Sequence, residues 1–378
     1  MDFVLQGGAT LWGTQMITRD IGVTNGLLRD AQTGPKIDAR DYIILPGIID
    51  MHGDGFERHL APRRGAVKDL SAGLIATEAE LAVNGITTAV LAQFYSWEGG
   101  MRSPAFAADM LAALTTLVPS FATTLIPQLR FEYLMKSHWP AFLDLVKRCA
   151  VPYVVLNDHI PHSALAQGKK PPRLTGQALK SGRNPDAHLA LLTDLHRQKD
   201  SVLADLPDLI ADLLGLGVMI GSHDDASFED RKTFHDLGVR ISEFPEKEAA
   251  AQAAVTLGSP VIMGAPNMLR GGSHVGNLNA ASLIGCGLDA LASDYHYPAP
   301  RLAALALARD MGFAKAWPYV SANPAHILGL TDRGILCDGK RADMIILNAN
   351  TYRLVATIAQ GKFTYLSGPF AQNVLAAI

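Results

Sequence analysis

The stretch Leu45-Pro46-Gly47-Ile48-Ile49-Asp50-Met51-His52-Gly53-Asp54 is an apolar run that ends in an imidazole and a carboxylate two residues apart. Alternate residues of a strand project to the same side, so His52 and Asp54 are able to reach one ion together. Downstream, the Ala- and Leu-rich segment ATEAELAVNG reads as a helix and ITTAVLAQF as a second buried strand. A strand, a helix and a further strand in that order predict two parallel strands joined by a crossover.

Outward from this unit the alternation continues. The apolar runs GIIDMHGD, ITTAVLAQF, TTLIPQLRFEYL, VPYVVLNDH, GVMIGSHDD, GVRISEFP, PVIMGAPN and ALASDY number eight, with helical stretches such as PAFAADMLAALTTL and AALALARDM between them. Eight βα units predict a closed (β/α)8 barrel of the α/β class, and runs that finish in polar residues predict chemistry at the C-terminal ends of the strands. The first 45 residues and the text after Gly334 (RADMIILNA, RLVATIAQGKFTYLSG) are strand-like and turn-punctuated. They predict a small β-sandwich domain split between the termini, with boundaries at 1–47, 48–330 and 331–378. Residues 160–200 are basic, Pro- and Gly-punctuated and too long for a minimal connection, which reads either as a lid or as a surface excursion.

Composition narrows the function. A chain of 378 residues with 48% hydrophobic and 18% charged residues has enough apolar surface for a large core, and no disorder is expected of it. A formal net charge of −3 argues against a nucleic-acid partner, so an anionic small molecule would have to be held by locally clustered cations. Cys149, Cys286 and Cys337 are too few and too scattered for a disulfide framework or a CxxC zinc module. With no signal-peptide pattern and no long apolar run, the expectation is a cytoplasmic enzyme with no membrane partner, and a homo-oligomer is compatible with it.

The HxD motif gains weight from later strand ends. Glu132, His159, His223 and Asp294 close four further runs, in FEY, LNDH, GSHDD and ASDY. With His52 and Asp54 they make six N and O donors, enough for two divalent ions, zinc or manganese, with Glu132 able to bridge. Asn157, Asp158, Asp224, Asp225 and Glu243 are candidates to orient ligand imidazoles or to bind substrate. Of the adjacent pair Asp224 and Asp225, one shares the side of His223 and the other is a candidate cap for the next helix. After the seventh run, a Gly-rich loop offers Asn267, Arg270, Gly271, Gly272 and His274 as an anion nest. Arg58, His59, Arg63, Arg64 and Arg130 would add positive charge.

The stretch from Leu45 to His52 resembles the PGxxDxH motif that opens the barrel in the amidohydrolase superfamily. Asn323-Pro324-Ala325 with Asp338-Gly339-Lys340-Arg341-Ala342-Asp343 resembles the signal with which those chains leave it. HxD in place of HxH is similar to the PhnM family of phosphonate-metabolism hydrolases, as are Glu57 to Arg63, Ser222 to Asp225, Ile241 to Pro245, Met263 to Ser273 and Ser293 to Tyr295. The resemblance implies a two-metal hydrolase that releases diphosphate from α-D-ribose 1-methylphosphonate 5-triphosphate. At matching positions it implies metal ligands at His52, Asp54, Glu132, His159, His223 and Asp294. Asp294 would also be the catalytic residue that takes a proton from the attacking water. Gly53, Gly55, Phe56 and the segment after His159 depart from the family pattern, which bears on substrate rather than metal. Two alternatives stay open: an amidohydrolase cleaving a carbon–nitrogen bond with the same ligands, and a catalytically silent barrel, which would be expected to lack ligands.

Overall fold

The computed structural model describes residues 2–30, 33–61, 69–271, 278 and 280–377. Sixteen strands are present among them. β1 (Phe3–Trp12), β2 (Gln15–Thr24), β3 (Leu27–Arg29), β4 (Lys36–Asp38) and β5 (Tyr42–Pro46) precede the barrel. Barrel strands are β6 (Ile48–Gly53), β7 (Ile86–Tyr95), β8 (Thr124–Glu132), β9 (Tyr153–Asn157), β10 (Met219–His223), β11 (Ile241–Glu243), β12 (Val261–Gly264) and β13 (Ala290–Ala292). β14 (Met344–Asn348), β15 (Leu354–Ala359) and β16 (Lys362–Leu366) follow. All eight apolar runs read from the sequence are strands, and β6 to β13 form one parallel sheet in sequence order. A bridge between Gly53 and Asp294 brings the first and last of them together, so the sheet is a nearly closed barrel. β6, β7 and β9 are buried at every position, the signature of strands covered on both faces, and this is why they read as continuous apolar runs.

The terminal strands make a second sheet in the order β16-β15-β14-β5-β1-β2-β3, with β4 beside β1. β14 from the C-terminal part lies antiparallel to β5, Met344 opposite Pro46 and Asn348 opposite Tyr42, so both ends of the chain build one small β-domain. Its core gathers Phe3, Leu5, Ile21, Val23, Ile44, Met344, Ile346 and Phe370. Burying a side chain of this size is worth about 1.5–3 kcal/mol.

By contact the chain divides into two compact units, one of Met1–Val90, Leu117–Leu125 and Ile262–Ile378, the other of Leu91–Thr116 and Ile126–Val261. In the second, the segment read as a lid or an excursion is largely helical: His162–Ala166, Leu174–Ser181 and the 31-residue helix Pro185–Gly215. Asn184 caps the long helix by accepting from the Ala187 amide at 2.7 Å, and Pro185 begins it, where a missing N–H costs nothing. The punctuation that looked like loop chemistry is therefore in part helix-start chemistry. Among the described residues, no helix is long and apolar enough to cross a membrane.

Candidate active site

In the first unit, the end of β6 is tied to β13 by a carboxylate. Asp50 is fully buried and accepts from the Ser293 amide at 2.8 Å and the Ser293 hydroxyl at 2.5 Å. Burial pushes its pKa up, and these two hydrogen bonds work against that. The Asp294 amide donates to the His52 carbonyl and the Asp54 amide to the Asp294 carbonyl, both at 2.9 Å. His52, Asp54 and Asp294 are thus held on adjoining strand ends. Asp294 has φ +55°, a left-handed conformation that a non-glycine residue seldom adopts and that strand ends at functional sites often carry. Gly53 admits no side chain: a Cβ there would lie 2.8 Å from both the Tyr297 ring and the Asp50 carboxylate.

Beside this end lie the cations foreseen for an anion. Arg58 donates to the Tyr295 carbonyl at 3.2 Å and pairs with Glu80, which also meets His59 at 2.5 Å. Arg270 reaches the Tyr295 hydroxyl and, at 2.6 Å, the Asn267 side-chain oxygen. Two arginines therefore meet one exposed tyrosine next to Asp294. Gly271 ends the described part of that loop, while Gly272, His274, Arg63 and Arg64 fall outside the described residues.

In the second unit, the ends of β8 to β11 carry the other set. Glu132 is fully buried; one of its oxygens accepts from the His159 amide and the Trp97 indole, each at 3.1 Å, and the other faces His159 Nδ1. Burial, the largest single influence, would lower the His159 pKa, but the Glu132 charge and hydrogen bond together with Asp224 outweigh it and the pKa is raised. His223 Nδ1 meets Asp224 at 2.9 Å, and Nε2 faces the Arg130 guanidinium at 3.0 Å, which lies over the Phe94 ring. Burial would raise the Asp224 pKa, yet His223, His159 and Arg130 bring it down to about 2. Donor atoms of His159, His223 and Asp224 all lie within 4.8 Å of one another, a spacing and an N/O composition that suit a divalent ion.

The candidate orienting residues divide. Asp224 shares the side of His223, with φ +62°. Asp225 turns away into a buried pair with Arg231 at 3.2 Å, and the Ser222 hydroxyl donates to it at 2.7 Å. Neither caps the next helix: Ser227 does, accepting from the Asp230 amide at 3.0 Å. Glu243, buried, accepts from Tyr153 at 2.5 Å and Gln128 at 3.0 Å, and burial with that carboxylate raises the Tyr153 pKa well above its usual value. Asp158 does not orient His159; it holds His162 at 2.9 Å and Lys199 at 3.5 Å. Trp97, Tyr153 and Arg231 were not singled out from the sequence, because a buried aromatic or arginine carries no spacing signal of its own.

No family model matches the chain. Alpha-D-ribose 1-methylphosphonate 5-triphosphate diphosphatase of Escherichia coli strain K12 is 30% identical over 362 residues, covering 88% of this chain and 91% of that protein. The chain belongs to the PhnM-like family of the amidohydrolase superfamily. It is by that membership a hydrolase. Solved structures agree on the fold. A beta-aspartyl dipeptidase from Fervidobacterium islandicum AW-1 has TM-score 0.63 and 13% identity, covering 97% of this chain and 98% of that one. An amidohydrolase from an environmental sample of the Sargasso Sea has TM-score 0.62 and 14% identity, covering 100% and 97%.

Proposed function

We propose that this chain is a metal-dependent diphosphatase that releases diphosphate from α-D-ribose 1-methylphosphonate 5-triphosphate or a closely related ribosyl triphosphate. The observation that carries the reading is Arg270, which meets the neutral Tyr295 hydroxyl and Asn267 side chain beside Asp294, with Arg58, paired to Glu80, on the Tyr295 carbonyl. Guanidinium groups fit phosphoryl oxygens through paired N–H donors, whereas a neutral amide substrate gives them nothing to neutralise. Similarity to the Escherichia coli diphosphatase supports the same choice.

His52, Asp54, Glu132, His159, His223 and Asp294 would hold the ions, zinc or manganese, and their imidazole and carboxylate donors suit either metal. Bound divalent ions would supply Lewis acidity toward the phosphoryl group and acidify a water molecule. Asp294 would take the proton of the water that attacks the α-phosphorus. The new bond is from that oxygen to phosphorus, the bond broken is from phosphorus to the bridging oxygen, and diphosphate leaves. Arg58, Arg130, Asn267, Arg270 and the loop amides, Gly271 and Gly272 among them, with His274, would neutralise the phosphoryl oxygens. Asp224 would orient His223.

The test is metal content of the purified protein together with diphosphate release from that triphosphate under zinc or manganese. Release with about two metals bound is expected. Bound metal without release, and turnover of a cyclic amide or N-acyl compound instead, would replace the substrate assignment and keep the hydrolase.

A further inference from the structure

The stretch 180–188 of the second unit has no part in the chemistry above, yet it touches the loop that holds Glu132. β7 runs out into Ser96-Trp97-Glu98-Gly99-Gly100, a loop closed by the Ser96 amide on the Arg102 carbonyl at 2.7 Å. Gly99 (φ +76°) and Gly100 (φ +57°) let the backbone come so close to Lys180 and Ser181 that a Cβ would lie 2.8 Å from the Ser181 Cβ and 3.0 Å from the Lys180 carbonyl. Arg183 donates to the Trp97 carbonyl at 2.7 Å. The fully buried His188 faces the Trp97 ring, centroids 5.7 Å apart. Trp97 is itself 2% exposed, and its indole N–H ends on Glu132.

We propose that the stretch Lys180–His188 is a brace that fixes the Glu132 carboxylate through Trp97, with Trp97 and Arg183 as positioning residues for that ligand. This rests on the reading of Glu132 as a metal ligand. A buried carboxylate chooses its rotamer by the donors it finds, and Glu132 has two N–H groups on one oxygen, one from the His159 backbone and one from Trp97. Deleting the indole N–H leaves the carboxylate held from His159 alone, by its amide on one oxygen and its ring on the other, so a ligand that was held ready must be ordered when an ion binds and engages that ring. Arg183 and the glycine contacts act one step further out, by keeping the indole where it is. On this account the segment read as a lid or an excursion has a stretch whose task is rigidity.

The experiment is zinc affinity of the metal-stripped full chain, by competition with a chromophoric chelator, alongside its unfolding midpoint without metal. Trp97→Phe is expected to weaken zinc binding about tenfold or more, while the metal-free midpoint moves little. Wild-type affinity in a folded Trp97→Phe protein would overturn the proposal. Glu132→Gln separates the two readings: if it binds zinc like wild type, Glu132 is no ligand and the brace falls with it. If it loses zinc while Trp97→Phe keeps it, the brace alone fails. Should Trp97→Phe not fold, Arg183→Met at its half-buried position decides: weakened zinc binding supports the brace, and unchanged binding overturns it.

Discussion

Buried charge is handled differently at the two ends of the barrel strands. At the N-terminal ends of β7 and β8, Arg333 reaches the hydroxyls of Thr88 at 3.0 Å and Thr124 at 2.9 Å and grips Asp332 with two further nitrogens. Arg341 shares the same hydroxyls and pairs with Asp343. Each guanidinium there ends on an opposite charge and on neutral hydroxyls, and the group is closed. At the C-terminal ends of β9 and β10, His159, His223 and Asp224 face one another with donor atoms inside a sphere an ion could fill. Left-handed backbone follows three of the barrel strands, at Asp224 after β10, Phe244 after β11 and Asp294 after β13, with φ +62°, +52° and +55°. Closed pairs at one end hold the terminal β-domain to the strands, whereas strained ends with convergent donors are what a site of chemistry needs.

The widest separation between the two ends comes from one substitution at each. With Asp294 as the proton acceptor proposed above, Asp294→Asn should lower kcat by about 10³-fold while leaving the unfolding midpoint near wild type. Arg341→Met should do the reverse. It strands Asp343, 4% exposed, and is expected to cost about 3 kcal/mol in denaturant unfolding with kcat per folded molecule unchanged. A large fall in kcat for Arg341→Met with normal stability would break the comparison. Next in size is Gly53→Ala, where a Cβ would meet the Tyr297 ring and Asp50 at 2.8 Å. We expect a loss of about 1–3 kcal/mol, together with weaker metal binding because His52 and Asp54 flank the clash. Wild-type stability there would mean that the closure of β6 on β13 is softer than its hydrogen bonds imply.

What was legible in the sequence follows from how local each signal is. The barrel could be read because buried parallel strands are continuous apolar runs, and β7, buried at all ten positions, announces itself. His52, Asp54, Glu132, His159, His223 and Asp294 stand out as candidates because each lies at the end of such a run. The partners do not. Trp97 lies 35 residues from Glu132, and Tyr153 lies 90 from Glu243, so no spacing rule joins them. Asp158 pairs with His162, four residues on, and with Lys199, 41 residues on, and no spacing rule joins the second of these either. The segment after His159 looked like loop because Gly, Pro and Asn also begin and end helices, as Asn184-Pro185 does here.

The smallest effect concerns a buried group that neither end accounts for. His188 is fully buried, and neither ring nitrogen has a hydrogen-bond partner among the described residues. Burial pushes its pKa below the usual 6.5, with the Arg183 charge adding to the shift and Glu98 opposing it. The folded state therefore prefers the neutral ring. Its contribution is intact above about 6.5, the pKa of the unfolded chain, and is lost progressively as pH falls below that toward the lowered folded value. The expected signature is a wild-type unfolding midpoint that drops between pH 7 and pH 5 by more than that of His188→Phe, measured by thermal melts across that range. Equal slopes in the two proteins would mean that the ring takes up its proton without penalty. It would then find a partner on protonation, and the closed character of the arginine pairs would extend to this part of the second unit as well.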